Sequence, residues 1–133
     1  MSEENVEIVW RSYEAFMEGN AEAALAAYSP DTEWDDTRFR PEGKVHRGRD
    51  ELTQVVRAWS GAWTDYSIKL ERVIDAGDDR VVVIWEERGT GKGSGLQVST
   101  QVAAVVALDR SRIAHSIIYS DPAEALEAAG LSE

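Results

Sequence analysis

Five residues, TEWDD at 32–36, set a tryptophan and two carboxylates at the end of a strand-like run. Side chains alternate along a strand, so Trp34 and Asp36 share one face while Glu33 and Asp35 take the other. If Trp34 turns into an apolar interior, Asp36 goes with it. A carboxylate among apolar neighbours is harder to ionise, which suits a base working near neutral pH. The alternative for Asp36 is a loop cap, or an ion pair with Arg38 or Arg40.

Other residue types carry weaker signals. Trp34, Trp59, Trp63, Tyr13, Tyr28 and Tyr66 are candidates to line a pocket for a flat apolar ligand, although core packing alone accounts for most of them. The chain has five tryptophans, and each indole N–H needs a partner once buried. His115 and Tyr119 stand two apart on one strand face, either as an acid with its orienting group or as part of an outer surface. Glu86 and Glu87 point to opposite faces of their strand, and the period leaves open which of them turns inward. His46 has no second histidine at ligand spacing, so no metal site is expected. GTGKGSG at 89–95 lacks phosphate-loop spacing and joins two strands instead of opening a helix, which makes it a hairpin connection. No cofactor is implied.

The elements that must position these groups follow from periodicity. Val6, Val9, Trp10, Tyr13 and Met17 recur at helical spacing, predicting a helix over 3–18 that Gly19-Asn20 stops. A short helix is predicted over 21–28, ended by Pro30, then a strand over 32–36 and a small extended piece at 44–46. The helix predicted over 50–63 aligns Leu52, Val55, Val56, Trp59 and Trp63. Residues 67–75 alternate with a slip near Arg72. Strands follow over 80–88, 96–108 and 113–120, with turns at 76–79 and 109–111. Asp121 caps a final helix that has Pro122 in its first position. Helices segregated from an antiparallel sheet make an α+β fold. Several strands are apolar on both faces, so the sheet needs a second cover, and a partner subunit is the economical one.

With 133 residues the chain has the size of one domain, taken as 1–133. A formal charge of −11 argues against nucleic acid and anionic membrane surfaces as partners. The lack of cysteine excludes disulfides, thiolate catalysis and cysteine zinc sites. Neither a signal peptide nor an apolar run of membrane-spanning length is evident, so a cytoplasmic protein is expected.

Four stretches in this order resemble the nuclear-transport-factor-2-like superfamily, in its SnoaL-like polyketide-cyclase and ketosteroid-isomerase branch. They are YEAFMEGNAEAALAAYSPDTEW at 13–34, HRGRDEL at 46–52, IDAGDDRVVVIWEERGTGKGSG at 74–95 and RIAHSIIYSDPAEALEAAGL at 112–131. The resemblance implies a cone-shaped, strongly curved antiparallel sheet, with N-terminal helices covering an apolar pocket. It also implies a homodimer formed through the outer sheet face.

An ungapped match from Gly19 to Asp36 sets Asp36 where ketosteroid isomerases carry the general base that takes a proton α to a carbonyl. Their oxyanion tyrosine falls at Ser12, one step from Tyr13, and their protonated aspartate falls near Ala104. Departure at both positions argues against steroid isomerisation. On this footing the expected pocket holds Asp36, Tyr13, Trp34, Trp59 and Trp63, with Val102, Ala104 and Ile118 from the strands. His115, Ile117 and Tyr119 turn to the outer, dimer-forming face. Tyr13 or Trp63 would polarise the substrate oxygen. The function expected is an isomerase or cyclase acting on a small apolar or aromatic molecule. The alternatives are a non-catalytic binder and an interaction domain whose pocket is filled by its own side chains.

Overall fold

The computed structural model describes residues 2–131. In chain order it contains α1 (Ser2–Met17), α2 (Ala21–Ala26), β1 (Tyr28–Asp35), β2 (Val45–Arg47), α3 (Gly48–Gly61), β3 (Trp63–Gly77), β4 (Arg80–Gly91), β5 (Gln97–Asp109), β6 (Arg112–Tyr119) and α4 (Pro122–Ala128). The fold is α+β. Six strands form one curved, unclosed sheet in the order β2-β1-β6-β5-β4-β3. All pairings are antiparallel except β1 with β6, which run parallel. A parallel pair needs a long connection, and here everything from β2 to β5 supplies it.

Several predicted boundaries move, and at two of them a residue passes from a helix to a strand. Tyr28 was expected to close the second helix, yet α2 stops at Ala26 and Tyr28 opens β1. Pro30 therefore lies inside a strand. It is tolerated because the register against β6 shifts between Tyr28 and Glu33, so the missing N–H falls where the ladder is interrupted. Trp63 was expected on the third helix, but α3 ends at Gly61 and Trp63 begins β3, opposite Gly91. The slip expected near Arg72 is a register shift between Leu70 and Arg72. Arg110 and Ser111, at φ +53° and +65°, form the two-residue turn between the paired Asp109 and Arg112. Two positive φ values match the twist of a tight hairpin.

Each sheet face has its own core. On one, Val81, Val83, Trp85, Val102, Ala104, Val106 and Ile118 pack with Val9 and Tyr13 of α1 and Leu52 of α3. Trp10 leaves the stripe predicted for α1 and is 41% exposed, because it lies one residue, about 100° of rotation, past Val9. On the other face, Val82, Ile84, Ala103, Val105 and Tyr119 pack under Ala125, Leu126 and Ala129 at the C-terminal end of the chain. Part of the second cover is thus the chain's own terminal helix. Asp121 caps α4 by accepting from the Ala123 N–H.

Candidate functional site

Asp36 sits just past β1, at the root of a loop folded back on it. The backbone N–H of Asp36 donates to the Lys44 carbonyl at 3.2 Å, and the Lys44 N–H returns a bond to Asp36 Oδ1 at 2.8 Å. Phe39 and Arg40 N–H groups donate to the Asp36 carbonyl at 3.1 and 3.3 Å. That turn brings the Arg40 guanidinium to Asp36 Oδ2 at 3.1 Å, and His46 Nε2 from β2 lies 3.4 Å from the same oxygen. The side chain is 4% exposed. Both sequence readings of Asp36 therefore meet at one residue. It pairs with Arg40, and it also lines a cavity. Arg38 instead pairs with Glu124 of α4 at 3.2 Å. Asp35, on the opposite face, is partly desolvated, which pushes its pKa up. The Thr37 hydroxyl and N–H bonds, with His115 and Arg38 nearby, outweigh this and leave it below the usual carboxylate range.

The cavity measures about 400 Å³ between the sheet and α1 and α3. Of the expected residues, Tyr13, Trp34, Asp36, Trp59, Val102 and Ile118 line it. Trp63 and Ala104 lie outside the lining. Trp63 turns its ring over Gly89, where a Cβ would stand 3.1 Å from the Trp63 Cβ, and packs edge-on against Trp59 with centroids 5.5 Å apart. Ala104 is fully buried in the core behind the cavity. Ser12 donates to the Ala24 carbonyl at 2.8 Å and joins α1 to α2. The Tyr13 hydroxyl is buried beside that of Tyr28, without a hydrogen bond of normal geometry. His115, Ile117 and Tyr119 are on the outer face. There His115 Nε2 lies 3.8 Å from Glu33, and Tyr119 is only 5% exposed, in the cluster with α4.

Sequence reasoning left Glu87 undecided, and the structure turns it into the cavity, 8% exposed. Three donors converge on it. Tyr66 Oη and Trp85 Nε1 reach Oε1 at 3.0 and 3.2 Å, and Trp59 Nε1 reaches Oε2 at 3.1 Å. Burial, then the Glu87 charge and hydrogen bond, hold the Tyr66 phenol far above its ordinary pKa. The signal was present: Trp85 and Glu87 stand two apart on one strand face, and a buried indole needs an acceptor. Phe39 and Arg40, which the sequence did not place in the pocket, also line it, one apolar and one cationic. No cluster of three or more His, Cys, Asp or Glu suited to a metal occurs among the described residues, and none of their helices is long and apolar enough to cross a membrane.

Residues 9–116 match the sequence profile of the SnoaL-like domain. No curated protein matches the chain. Among solved structures, a nuclear-transport-factor-2-like protein of Burkholderia thailandensis is 28% identical, with 95% of this chain and 96% of that chain covered and a TM-score of 0.80. A putative polyketide cyclase of Xanthomonas campestris pv. campestris is 19% identical over 96% and 98%, with a TM-score of 0.75. A ketosteroid isomerase-like fold from Catenulispora acidiphila, in complex with trimethylamine, is 18% identical over 94% and 93%, with a TM-score of 0.72.

Proposed function

The chain belongs to the SnoaL-like family, and from that premise we propose a small enzyme of the isomerase or cyclase type, with Asp36 as general base on a proton α to a carbonyl. The observation that carries this reading is the position of Asp36. It stands on the wall of an aromatic cavity, 3% exposed. Lys44 N–H, Arg40 and His46 fix the orientation of the carboxylate. A carboxylate offers about four lone-pair positions, and these three partners leave one of them untaken. Held geometry of this kind is what a proton transfer requires. Arg40 lines the cavity beside Asp36, and in this reading its guanidinium supports the negative charge that develops on the substrate oxygen. It takes the role sought at Tyr13 and Trp63. His46 acts through Asp36 as a positioning residue.

The substrate in this proposal is a compact apolar or aromatic carbonyl compound. The aromatic lining supports it, as does likeness to a putative polyketide cyclase and to a fold that holds a small molecule, trimethylamine. An unfilled cavity of about 400 Å³ speaks against a vestigial pocket. A second reading, the non-catalytic binder, draws on the Asp36–Arg40 ion pair, which also explains the carboxylate without chemistry. Homodimerisation through the outer face and a cytoplasmic setting belong to the same proposal.

A panel of flat carbonyl compounds, followed by tryptophan fluorescence for binding and ultraviolet absorbance for turnover, separates the two. The enzyme reading expects Asp36→Asn to keep binding and lose turnover. Binding without turnover in the wild-type protein across the panel favours the binder.

A further inference from the structure

Glu87 and Asp36 line one cavity but are neutralised differently. Arg40 is the single Lys or Arg among the described residues of the lining, and Asp36 engages it. The three donors on Glu87 are two indoles and a phenol, all neutral. With Asp36 and Arg40 cancelling, the wall keeps one negative charge, at Glu87. A buried carboxylate without a counter-charge is costly, and proteins ordinarily pair such groups.

The surroundings of Glu87 narrow the ligand chemistry. Trp59, Trp85 and Tyr66 aim their N–H and O–H groups at the carboxylate, and all three line the cavity. Tyr13 packs on Trp85 at 5.2 Å between centroids, and Phe39 on Trp59 at 5.5 Å. Aromatic faces around a negative centre attract a cation through the ring quadrupoles as well as through charge. Three of roughly four lone-pair positions on Glu87 are already filled. A guanidinium that needs several directional acceptors is therefore poorly served. A compact ammonium, which needs negative potential and π faces, is well served. The net charge of −11 also favours the approach of cations.

We propose that the Glu87 end of the cavity is a subsite for a compact organic cation, so that the small molecule taken by the pocket carries a protonated or quaternary amine. The inference rests on the small-molecule reading of this cavity, and is independent of whether Asp36 acts as a base.

The test uses tetramethylammonium as the probe, with the neutral isostere tert-butanol beside it. Both are titrated into the full-length protein while the indole N–H NMR signals are followed. Trp59→Phe and Trp85→Phe assign the two signals at Glu87. The expected result is saturable shifts of those two signals with tetramethylammonium, and binding of tert-butanol at least about tenfold weaker. Glu87→Gln should weaken the cation by about tenfold or more and bring the two probes together. Should Glu87→Gln fail to fold, the wild-type comparison of charged and neutral probes decides alone. Equal binding of the two probes overturns the proposal. So does the absence of shifts with tetramethylammonium, which would leave Glu87 as a scaffold for three aromatic donors. Solvent-deuterium exchange into a carbonyl compound without cation binding removes this inference and keeps the base. Cation binding without exchange does the reverse.

Discussion

Gly43 lies directly against the backbone of Asp36: a Cβ on Gly43 would stand 2.2 Å from the Asp36 carbonyl oxygen and 2.6 Å from its carbonyl carbon. Those atoms are backbone and cannot swing away. The loop that returns Lys44 and Arg40 to Asp36 closes only because residue 43 has no side chain. Gly43→Ala should destabilise the fold by about 1–3 kcal/mol, the usual cost of forced overpacking, and displace the Asp36 carboxylate. Gly61→Ala is the contrasting case. No atom lies within 4 Å of its Cβ position at the end of α3, and the substitution should stabilise by roughly 0.4–1 kcal/mol. Urea unfolding of both variants checks the pair, and equal effects would contradict it.

Glu87 satisfies two indole N–H groups and one phenol at once. Glu87→Ala takes the acceptor from all three: the buried Trp85 indole left unpaired costs on the order of 1–3 kcal/mol, while the part-buried Trp59 and Tyr66 donors regain water more readily. The loss expected is about 1–3 kcal/mol, read from the urea midpoint at unchanged slope. A loss under about 1 kcal/mol would mean that water replaces the carboxylate readily, and that the niche is wetter than described.

All four tyrosines, Tyr13, Tyr28, Tyr66 and Tyr119, have pKa values raised above the ordinary 10.0, chiefly by burial. A raised folded pKa means that the native state keeps a proton the unfolded chain gives up. The stability from these groups is fully present below about pH 10, and is lost as pH rises above it toward the folded values. In an alkaline titration followed at the phenolate band, absorbance should therefore rise late and together with loss of the native fold. Four independent titrations near 10 would contradict the packing around Tyr13, Tyr28 and Tyr66.

The outer face supplies a prediction about assembly. Ile117 and His115 remain partly exposed there, while Tyr119 is already covered within the chain. A homodimer on this face should weaken when Ile117 becomes Lys, because a charge would be buried at an apolar contact. Sedimentation of wild type and Ile117→Lys measures it. A monomeric wild-type protein would end the dimer proposal.

Much of the scaffold was legible because it depends on local patterning. The alternation through Trp34 and Asp36 set both toward one face, and both line the cavity. The slip near Arg72 and the tight turn at 109–111 were visible as breaks in period. Other features depended on distant partners. Whether Tyr28 ends a helix or opens a strand is decided by β6, which pairs with it at Ile113. Trp63 carries helical spacing from Trp59, yet Gly89 and Gly91 across the sheet draw it into β3. The inward turn of Glu87 follows from the register of β4, and an apolar run such as VVVIW hides that register because both of its faces are buried. His46 showed no partner at ligand spacing in the sequence, and its contact with Asp36 appears only once β2 pairs with β1.

The central claim, that Asp36 is a base on a carbonyl-adjacent carbon, is tested most directly by solvent-deuterium exchange. Flat cyclic ketones are incubated with the protein in D2O, and deuterium at the carbon next to the carbonyl is followed by proton NMR. The account predicts exchange faster with the wild-type protein than in buffer, falling by about 10²-fold or more in a folded Asp36→Asn, the range expected for losing a positioned base. Exchange at the same rate in both proteins, or no faster than in buffer for every ketone tried, would contradict it.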